Sequence, residues 1–78
     1  MKELLEHIAK SLVDDPSEVK VKEMAGSRTK LYELQVAKED MGRVIGRGGR
    51  VANSMRLLLR VAAAQEGRRA TLDIEDPQ

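Results

Sequence analysis

A cluster of glycines in the middle of the chain constrains its fold more than any other sequence feature. Gly46, Gly48 and Gly49 fall within four positions, between two segments whose apolar residues recur at helical spacing. Glycine inside regular structure costs roughly 0.5–1 kcal/mol per residue, because its backbone loses more freedom on folding than that of any other residue. The cluster therefore predicts a tight loop between two helices, with some structural or functional gain that offsets this cost.

Arginines surround this loop. Arg43, Arg47 and Arg50 lie in the segment MGRVIGRGGRV, residues 41 to 51. A tight helix–helix turn accounts for one or two glycines, but it does not account for the guanidinium groups. Glycine lets the backbone of another chain approach closely, and the first amides of a helix point outward with the positive end of the helix dipole. Since arginine donates paired hydrogen bonds to phosphate, the segment favours a partner that carries phosphate.

Two nucleotide-binding motifs do not fit the loop. A P-loop requires Gly-Lys followed by Ser or Thr, and the chain has no such tripeptide. The dinucleotide motif G-x-G-x-x-G requires a third glycine at position 51, which is Val51, and it follows a strand rather than a helix. A clamp on a nucleic-acid backbone therefore fits better than a mononucleotide site.

Composition narrows the remaining classes. The chain has 78 residues, no cysteine and one histidine, His7, so no disulfide, thiolate metal site or histidine cluster is expected. We expect no cofactor and no catalytic residues. The N-terminus mixes charged with apolar residues, unlike a signal peptide, and the longest apolar run, Val61 to Ala64, is too short for a membrane span. A cytoplasmic protein with no membrane partner is the expectation.

The first half of the chain predicts one helix and a hairpin. Apolar residues between Met1 and Val13 follow helical spacing, and the helix is expected to end before Pro16. Alternating patterns at 19–24 and 31–36 predict two antiparallel strands joined by a turn at Gly26 to Lys30.

The second half predicts two helices and a strand. Met41 to Ile45 reads as a short helix behind the acidic pair Glu39 and Asp40, and a longer helix runs from about Arg50 to Gln65. Gly67 is a candidate C-cap residue, and Ala70 to Ile74 alternates as a strand. The apolar face of the long helix is expected to consist of Val51, Met55, Leu58 and Ala62.

The predicted fold class is α+β, with the order α-β-β-α-α-β. Helices are expected to cover one face of a three-stranded mixed sheet. The last strand should run parallel to the second, because an αα crossover usually returns the chain in the direction of the strand it left.

The small net charge of the whole chain results from averaging over a segment that is rich in arginine. The net charge is +1, but residues 42–69 carry seven arginines against Glu66 alone, a net charge of +6. The single aromatic residue, Tyr32, argues against modules that stack bases on rows of aromatic rings. The distribution predicts a small nucleic-acid footprint with few phosphates neutralised and a shallow salt dependence.

The sequence I-G-R-G-G-R between a short and a long helix resembles the G-x-x-G loop of a KH domain, formed here by Gly46, Arg47, Gly48 and Gly49. The element order is similar to the type II arrangement, and the chain resembles the small stand-alone bacterial RNA-binding proteins of the KhpA family. The resemblance covers residues 1–75 as one KH domain, with 76–78 as a frayed tail. It implies a loop that holds about four single-stranded nucleotides by their backbone.

The resemblance also implies roles for individual residues. Arg47 and Gly48 match the tip of the loop and Gly49 closes it, while the position three residues after the closing glycine, a large aliphatic residue in the common pattern, is Ala52. An apolar floor under the bases is implied for Val44, Ile45 and Val51. The implied RNA-binding set is Arg43, Val44, Ile45, Gly46, Arg47, Gly48, Gly49, Arg50, Val51, Asn53, Arg56, Arg28 and Lys30.

Several members of that set have an alternative interpretation. Arg28 and Lys30 belong to the hairpin turn, which the resemblance places across the groove from the loop. Asn53, Arg56 and Arg60 lie at helical spacing and form either a solvated face or a basic wall beside the loop. The arginines at 68 and 69 are more typical of a solvated turn.

Three consecutive leucines in the long helix suggest a surface for a protein partner. The leucines at 57, 58 and 59 are consecutive, so at least one should face outward and suggests a partner surface. Family resemblance implies a homodimer, or pairing with a larger KH-containing protein of the KhpB (Jag-like) type. The alternative function is a protein–protein adaptor whose loop is mainly structural; a nucleotide-dependent enzyme, which should bind free mononucleotides, is not expected.

Overall fold

A computed structural model describes residues 1–26 and 28–75. Its helices and strands, in chain order, are α1 (Lys2–Leu12), β1 (Lys20–Ala25), β2 (Thr29–Gln35), α2 (Met41–Ile45), α3 (Arg50–Gln65) and β3 (Arg69–Glu75). Short 3₁₀ turns occupy Pro16–Glu18, Lys38–Asp40 and Arg47–Gly49. Residue 27 of the predicted turn and the predicted tail at 76–78 lie outside the described residues. The element order α-β-β-α-α-β is confirmed.

The three strands form one mixed sheet in the order β1-β2-β3. β1 pairs antiparallel with β2, and β2 pairs parallel with β3, so that Tyr32 of β2 lies between Glu23 and Leu72. The parallel return after two helices is the direction that the crossover predicts. The predicted α+β fold with a mixed sheet and helices on one face is confirmed.

The core lies between the helices and one face of the sheet. Tyr32, Leu34 and Val36 alternate along the second strand and its end, and all three are buried. The helices contribute Leu5 and Ala9 from α1 and a row of buried residues from α3. Aliphatic side chains around a single tyrosine therefore hold the domain together.

The buried face of α3 differs from the predicted one. Val51 and Ala62 are only partly buried and Leu58 is 51% exposed, whereas the buried residues are Ala52, Met55, Leu59 and Ala63. The helix is thus rotated by about one residue relative to the prediction. Alanines at both ends of the buried row let the helix backbone approach the sheet closely, which a row of larger residues would prevent.

The predicted C-cap at Gly67 is confirmed. Gly67 has φ 69°, and its N–H donates to the Ala64 carbonyl at 3.0 Å while the Arg68 N–H donates to the Ala63 carbonyl at 2.9 Å. This pair of hydrogen bonds is a Schellman motif, which satisfies carbonyls at the end of the helix. It also fixes the direction in which the chain enters β3.

The outer face of the sheet carries charges of both signs. In the register of the strands, Lys22 lies opposite Glu33, and Glu33 lies opposite Asp73. A hydrogen bond with Glu75, together with desolvation and the negative charge of that neighbour, raises the pKa of Glu33. Acids and lysines on this face largely compensate one another.

Asp40 has a different role from the one predicted. It directly precedes α2, but its side chain caps no amide of that helix. Instead the buried carboxylate, 2% exposed, accepts hydrogen bonds from the backbone N–H groups of Asp14 at 3.2 Å and Asp15 at 3.1 Å. Arg43 adds an ion pair from its Nε at 3.5 Å. Asp40 therefore holds the connection between α1 and β1 against the start of α2.

We expect Asp40→Ala to lower the free energy of unfolding by roughly 3 kcal/mol, because two partly buried amides lose their acceptor and Arg43 loses an ion-pair partner. Glu39→Ala, at the exposed neighbouring position, should change it by less than about 0.5 kcal/mol. Urea titration followed by circular dichroism measures both. Equal losses for the two variants would contradict the role assigned to Asp40.

Candidate nucleic-acid interface

The glycine loop, residues Gly46–Gly49, consists of three glycines with positive φ around one arginine. Gly46 has φ 77° and ends α2, Gly48 has φ 64°, and Gly49 has φ 80°. Residues with a Cβ rarely adopt these angles. The helix–helix turn therefore requires all three glycines, more than the one or two that it was expected to explain.

Two of the glycines have different surroundings. A Cβ on Gly46 would lie 2.5 Å from Cγ2 and 2.9 Å from the backbone N of Val51, so this residue packs directly against the first turn of α3. A Cβ on Gly48 would meet nothing within 4 Å. The base of the loop is thus closely packed, while its tip is open to an approaching backbone.

The arginines next to the loop differ in whether their charge is paired with an acidic side chain. Arg47 and Arg50 are exposed on either side of the two tip glycines. Arg43 instead pairs with the Asp14 carboxylate at 2.9 Å and with Asp40 at 3.5 Å. Of the three predicted phosphate ligands, two therefore extend into solvent beside the tip, and the third stabilises the connection between α1 and β1.

Asn53 and Arg56 connect the loop to the sheet. The Asn53 side-chain nitrogen lies 3.7 Å from the position of a Cβ on Gly49, below the closing glycine. Arg56 donates from Nη1 to the Asn53 side-chain oxygen at 3.1 Å and from Nε to the Leu72 carbonyl at 3.2 Å. Because β3 is an edge strand, its outward carbonyls are not used by the sheet. The structure thus brings Asn53 and Arg56 together beside the loop.

The apolar floor is smaller than predicted. Val44 is fully buried in the core, so it cannot touch a base, and its predicted place in the floor is wrong. Ile45 is 38% exposed, and Val51 is partly buried at the start of α3. Ile45 and Val51 are therefore the two side chains of the predicted floor that remain accessible.

Lys30 forms an ion pair with an acidic residue of the neighbouring strand. Its Nζ lies 3.3 Å from Oε1 of Glu23, which also accepts the Tyr32 hydroxyl at 3.0 Å. Burial, with the hydrogen bond to Glu23, raises the pKa of Tyr32 to about 12. The Tyr32 hydrogen bond, followed by Lys30, lowers the pKa of Glu23. Lys30 therefore stabilises a charged cluster at the sheet rather than extending into solvent.

Arg28 lies at the wrong end of the sheet for the predicted groove. Its carbonyl accepts the Arg69 N–H at 2.9 Å, at the start of β3. The glycine loop lies at the opposite end of α3, whose 16 residues span roughly 24 Å at 1.5 Å per residue. The expectation that Arg28 and Lys30 face the loop is therefore wrong, because β2 begins at the hairpin and the loop follows its far end.

Two further functional groups have no signal in the sequence pattern. The Leu72 carbonyl becomes a ligand of Arg56 only because the parallel pairing of β3 leaves its other edge open. Asp40 looks like a helix-start residue, and its contacts at Asp14 and Asp15 are 26 and 25 positions away, respectively. Knowledge of the topology, not of local periodicity, is needed to find either group.

Within residues 1–26 and 28–75, no helix is long and apolar enough to span a bilayer. The same residues contain no group of three or more His, Cys, Asp or Glu side chains able to hold a metal ion.

Gly46 and Gly48 should respond differently to substitution. We expect Gly48→Ala to cost about 1–2 kcal/mol of stability from its positive φ alone. Gly46→Ala should cost more, roughly 3 kcal/mol, because overlap with Val51 adds to the strain. Urea titration checks both, with Gly48→Asn as the control, since asparagine tolerates this backbone region. Equal losses at 46 and 48 would rule out the close contact with Val51.

The family model for the KH domain of KhpA and KhpB matches residues 2–74. The chain is 51% identical to RNA-binding protein KhpA of Clostridium acetobutylicum over 95% of this chain and 99% of that protein. It is 47% identical to the proteins of that name from Clostridium perfringens (95% of this chain, 99% of that protein) and Chlamydia pneumoniae (95% of each). No solved structure gives a significant match. The chain belongs to the KhpA/KhpB KH-domain family.

Proposed function

We propose that this chain is a non-enzymatic RNA-binding protein whose glycine loop clamps the backbone of single-stranded RNA. The observation that carries the proposal is the open tip at Gly48, held in place by three positive-φ glycines and flanked by the exposed side chains of Arg47 and Arg50. Relatives that match nearly the whole chain are named RNA-binding proteins. The family's usual mode of binding is a loop of this form.

The loop offers each part of a nucleotide a different kind of contact. The missing Cβ at Gly48 allows the sugar–phosphate backbone to approach the tip, and Arg47 and Arg50 donate hydrogen bonds to phosphate oxygens. Ile45 and Val51 supply apolar surface beneath the bases. The Asn53 amide and the remaining Arg56 donors face base edges, so hydrogen-bond acceptors on the base are favoured there.

The proposed clamp is tested with the double variant Arg47→Asp, Gly48→Asp. Aspartate tolerates the backbone angles of Gly48, and its side chain meets no neighbour there, so the fold should persist. Two carboxylates beneath the phosphates should lower the affinity for single-stranded RNA by at least about tenfold, which corresponds to about 1.4 kcal/mol. Fluorescence anisotropy with a labelled oligouridylate measures this.

The control for that variant is Lys10→Asp, Ser11→Asp on the exposed end of α1, which makes the same change in formal charge. We expect it to bind RNA almost as well as the unmodified protein. If the folded loop variant binds RNA as tightly as the control, the clamp is wrong. The adaptor function, with a mainly structural loop, then becomes the better interpretation.

We also propose that the apolar α3 face, formed by Leu57, Leu58 and Val61, pairs with the same face of a second copy of the chain. These side chains are 57%, 51% and 53% exposed, although each gains roughly 1.5–3 kcal/mol when fully buried. One KH module covers few nucleotides, so a dimer raises RNA affinity through effective concentration. A larger KH-containing protein of the KhpB type is the alternative occupant of this face. With either partner, we propose that the protein acts in the cytoplasm, in post-transcriptional regulation.

Sedimentation equilibrium tests the apolar α3 face. We expect a dimer for the unmodified chain and a monomer for Leu58→Gln, Val61→Gln, because burying two amides without partners offsets the apolar gain. Leu4→Gln, at a 45% exposed position on α1, is the control and should remain dimeric. A monomeric unmodified chain, or a dimeric double variant, would refute self-association through this face.

A further inference from the structure

An exposed acid just after α1 is paired with the arginine that precedes the glycine loop. The Asp14 carboxylate accepts a hydrogen bond from Nη2 of Arg43 at 2.9 Å, although the two side chains are 76% and 53% exposed. Arg43 lies in the last turn of α2, and the N–H of Gly46, the first loop residue, donates to the carbonyl of Gly42 at 2.9 Å. The ion pair therefore lies directly before the proposed RNA-binding loop.

The buried carboxylate of Asp40 holds both partners of this ion pair. Its Oδ1 accepts the backbone N–H of Asp14 at 3.2 Å and lies 3.5 Å from Nε of Arg43. Because one anchored oxygen fixes the backbone of the acid and one edge of the guanidinium group, the contact between Asp14 and Arg43 loses less side-chain entropy than an ordinary surface pair does. Asp14 and Arg43 are thus pre-positioned for each other.

The donors of Arg43 have two different surroundings. Nε faces the buried Asp40, whereas Nη2 extends to the exposed carboxylate of Asp14. The neighbouring carboxylate, that of Asp15, accepts the Ser17 hydroxyl and forms no ion pair within residues 1–26 and 28–75. Removal of the Asp14 charge alone would therefore free the outer donors of Arg43 while Asp40 still holds Nε.

The Asp14 carboxylate contributes little to the stability of the fold. Ion pairs between exposed side chains add little to folding, and the connection between α1 and β1 is held by the backbone N–H groups of Asp14 and Asp15, which donate to Asp40. Its main effect is on charge. Arg47 and Arg50 have no acidic partner in the part of the chain that the structure describes, whereas Arg43 is neutralised.

We propose that Asp14 limits the affinity of the glycine loop for RNA by occupying the Arg43 donors that would otherwise bind a phosphate group. The inference rests on the proposed RNA-binding function. A phosphate must displace the carboxylate before it can use these donors, and the exposed carboxylate also repels it. Asp14 is thus a positioning residue that acts through Arg43. It favours weak binding from which RNA dissociates quickly.

The test is Asp14→Asn, which removes the charge and keeps the size and the backbone N–H of the residue. We expect about fivefold tighter binding of the labelled oligouridylate, because the freed guanidinium group gains a charge-assisted hydrogen bond to phosphate. The slope of log affinity against log salt should steepen by about 0.7, the value for one additional phosphate contact with a single strand. Fluorescence anisotropy over a range of salt concentrations measures both quantities.

The matched control is Glu39→Gln. Glu39 is exposed, lies four positions before Arg43 and forms no ion pair within the described residues, so this variant makes the same change in formal charge beside α2. Its RNA affinity should stay within about twofold of that of the unmodified chain, with an unchanged salt slope. Equal gains for Asp14→Asn and Glu39→Gln would show a general charge effect and overturn the proposal.

A double-mutant cycle with Arg43→Gln identifies the residue through which Asp14 acts. Arg43→Gln alone should change RNA affinity by less than about twofold, because its outer donors are already occupied, and it should abolish the gain from Asp14→Asn. A gain that persists without Arg43, or weaker binding in Asp14→Asn, would contradict the proposal.

A further measurement retains Arg43. The resonance of its Nε–H group should shift more on addition of RNA in Asp14→Asn than in the unmodified chain, because phosphate then binds the same guanidinium group. Equal shifts would count against the proposal. Circular dichroism confirms that each variant is folded.

The outcomes separate this inference from the proposed clamp. If Arg47→Asp, Gly48→Asp loses RNA affinity while Asp14→Asn and Glu39→Gln bind alike, the clamp stands and the role of Asp14 is refuted. If that loop variant binds RNA as tightly as its own control, the clamp is wrong, and the role of Asp14 at the loop is wrong with it.

Discussion

The contact between Gly46 and the first turn of α3 is the constraint on which the rest of the site depends. Because no Cβ separates them, α2 and α3 approach closely at Val51, and the three positive-φ glycines adopt the backbone angles that this turn needs. α3 then crosses to β3, and its C-terminal cap sets the start of that strand. The close approach of Gly46 to Val51 therefore helps to set where the loop tip lies relative to α3.

Local signals in the sequence were sufficient to predict where helices and strands begin and end, but not which face of a helix is buried. Pro16, the glycine loop and Gly67 are residues whose backbone preferences end helices, so the bounds of the long helix were predicted from Arg50 to Gln65 as observed. The rotation of that helix about its axis could not be predicted, because its sequence contains two apolar rows. Only packing against the sheet decides which of the two is buried. Leu58 is more hydrophobic than Ala63, yet the small residue is buried, since close packing selects for shape as well as hydrophobicity.

For the candidate site, the sequence could predict that arginines beside the loop bind phosphate. It could not predict which basic residues form ion pairs with acids of the same chain. Arginines beside a glycine loop indicate phosphate binding whatever the topology of the sheet. Which cations pair with acids depends on contacts between distant parts of the chain: Arg43 with Asp14 across 29 positions, and Lys30 with Glu23 across the hairpin. Arg28 was misplaced for a similar reason, because the end of the sheet on which a turn lies is a property of the topology.

Uneven compensation also reconciles a net charge of +1 with the proposed binding of a polyanion. On the outer face of the sheet Lys22 lies opposite Glu33, and the hydrogen bond of Glu33 with the neighbouring Glu75 raises its pKa. From Arg47 to Arg60, along the glycine loop and α3, the sequence contains arginines and no acidic residue. A field that is nearly cancelled on the outer face of the sheet and uncancelled beside the loop would orient the loop towards phosphates before contact. Local imbalance, and not net charge, is therefore the electrostatic property on which the proposed RNA binding depends.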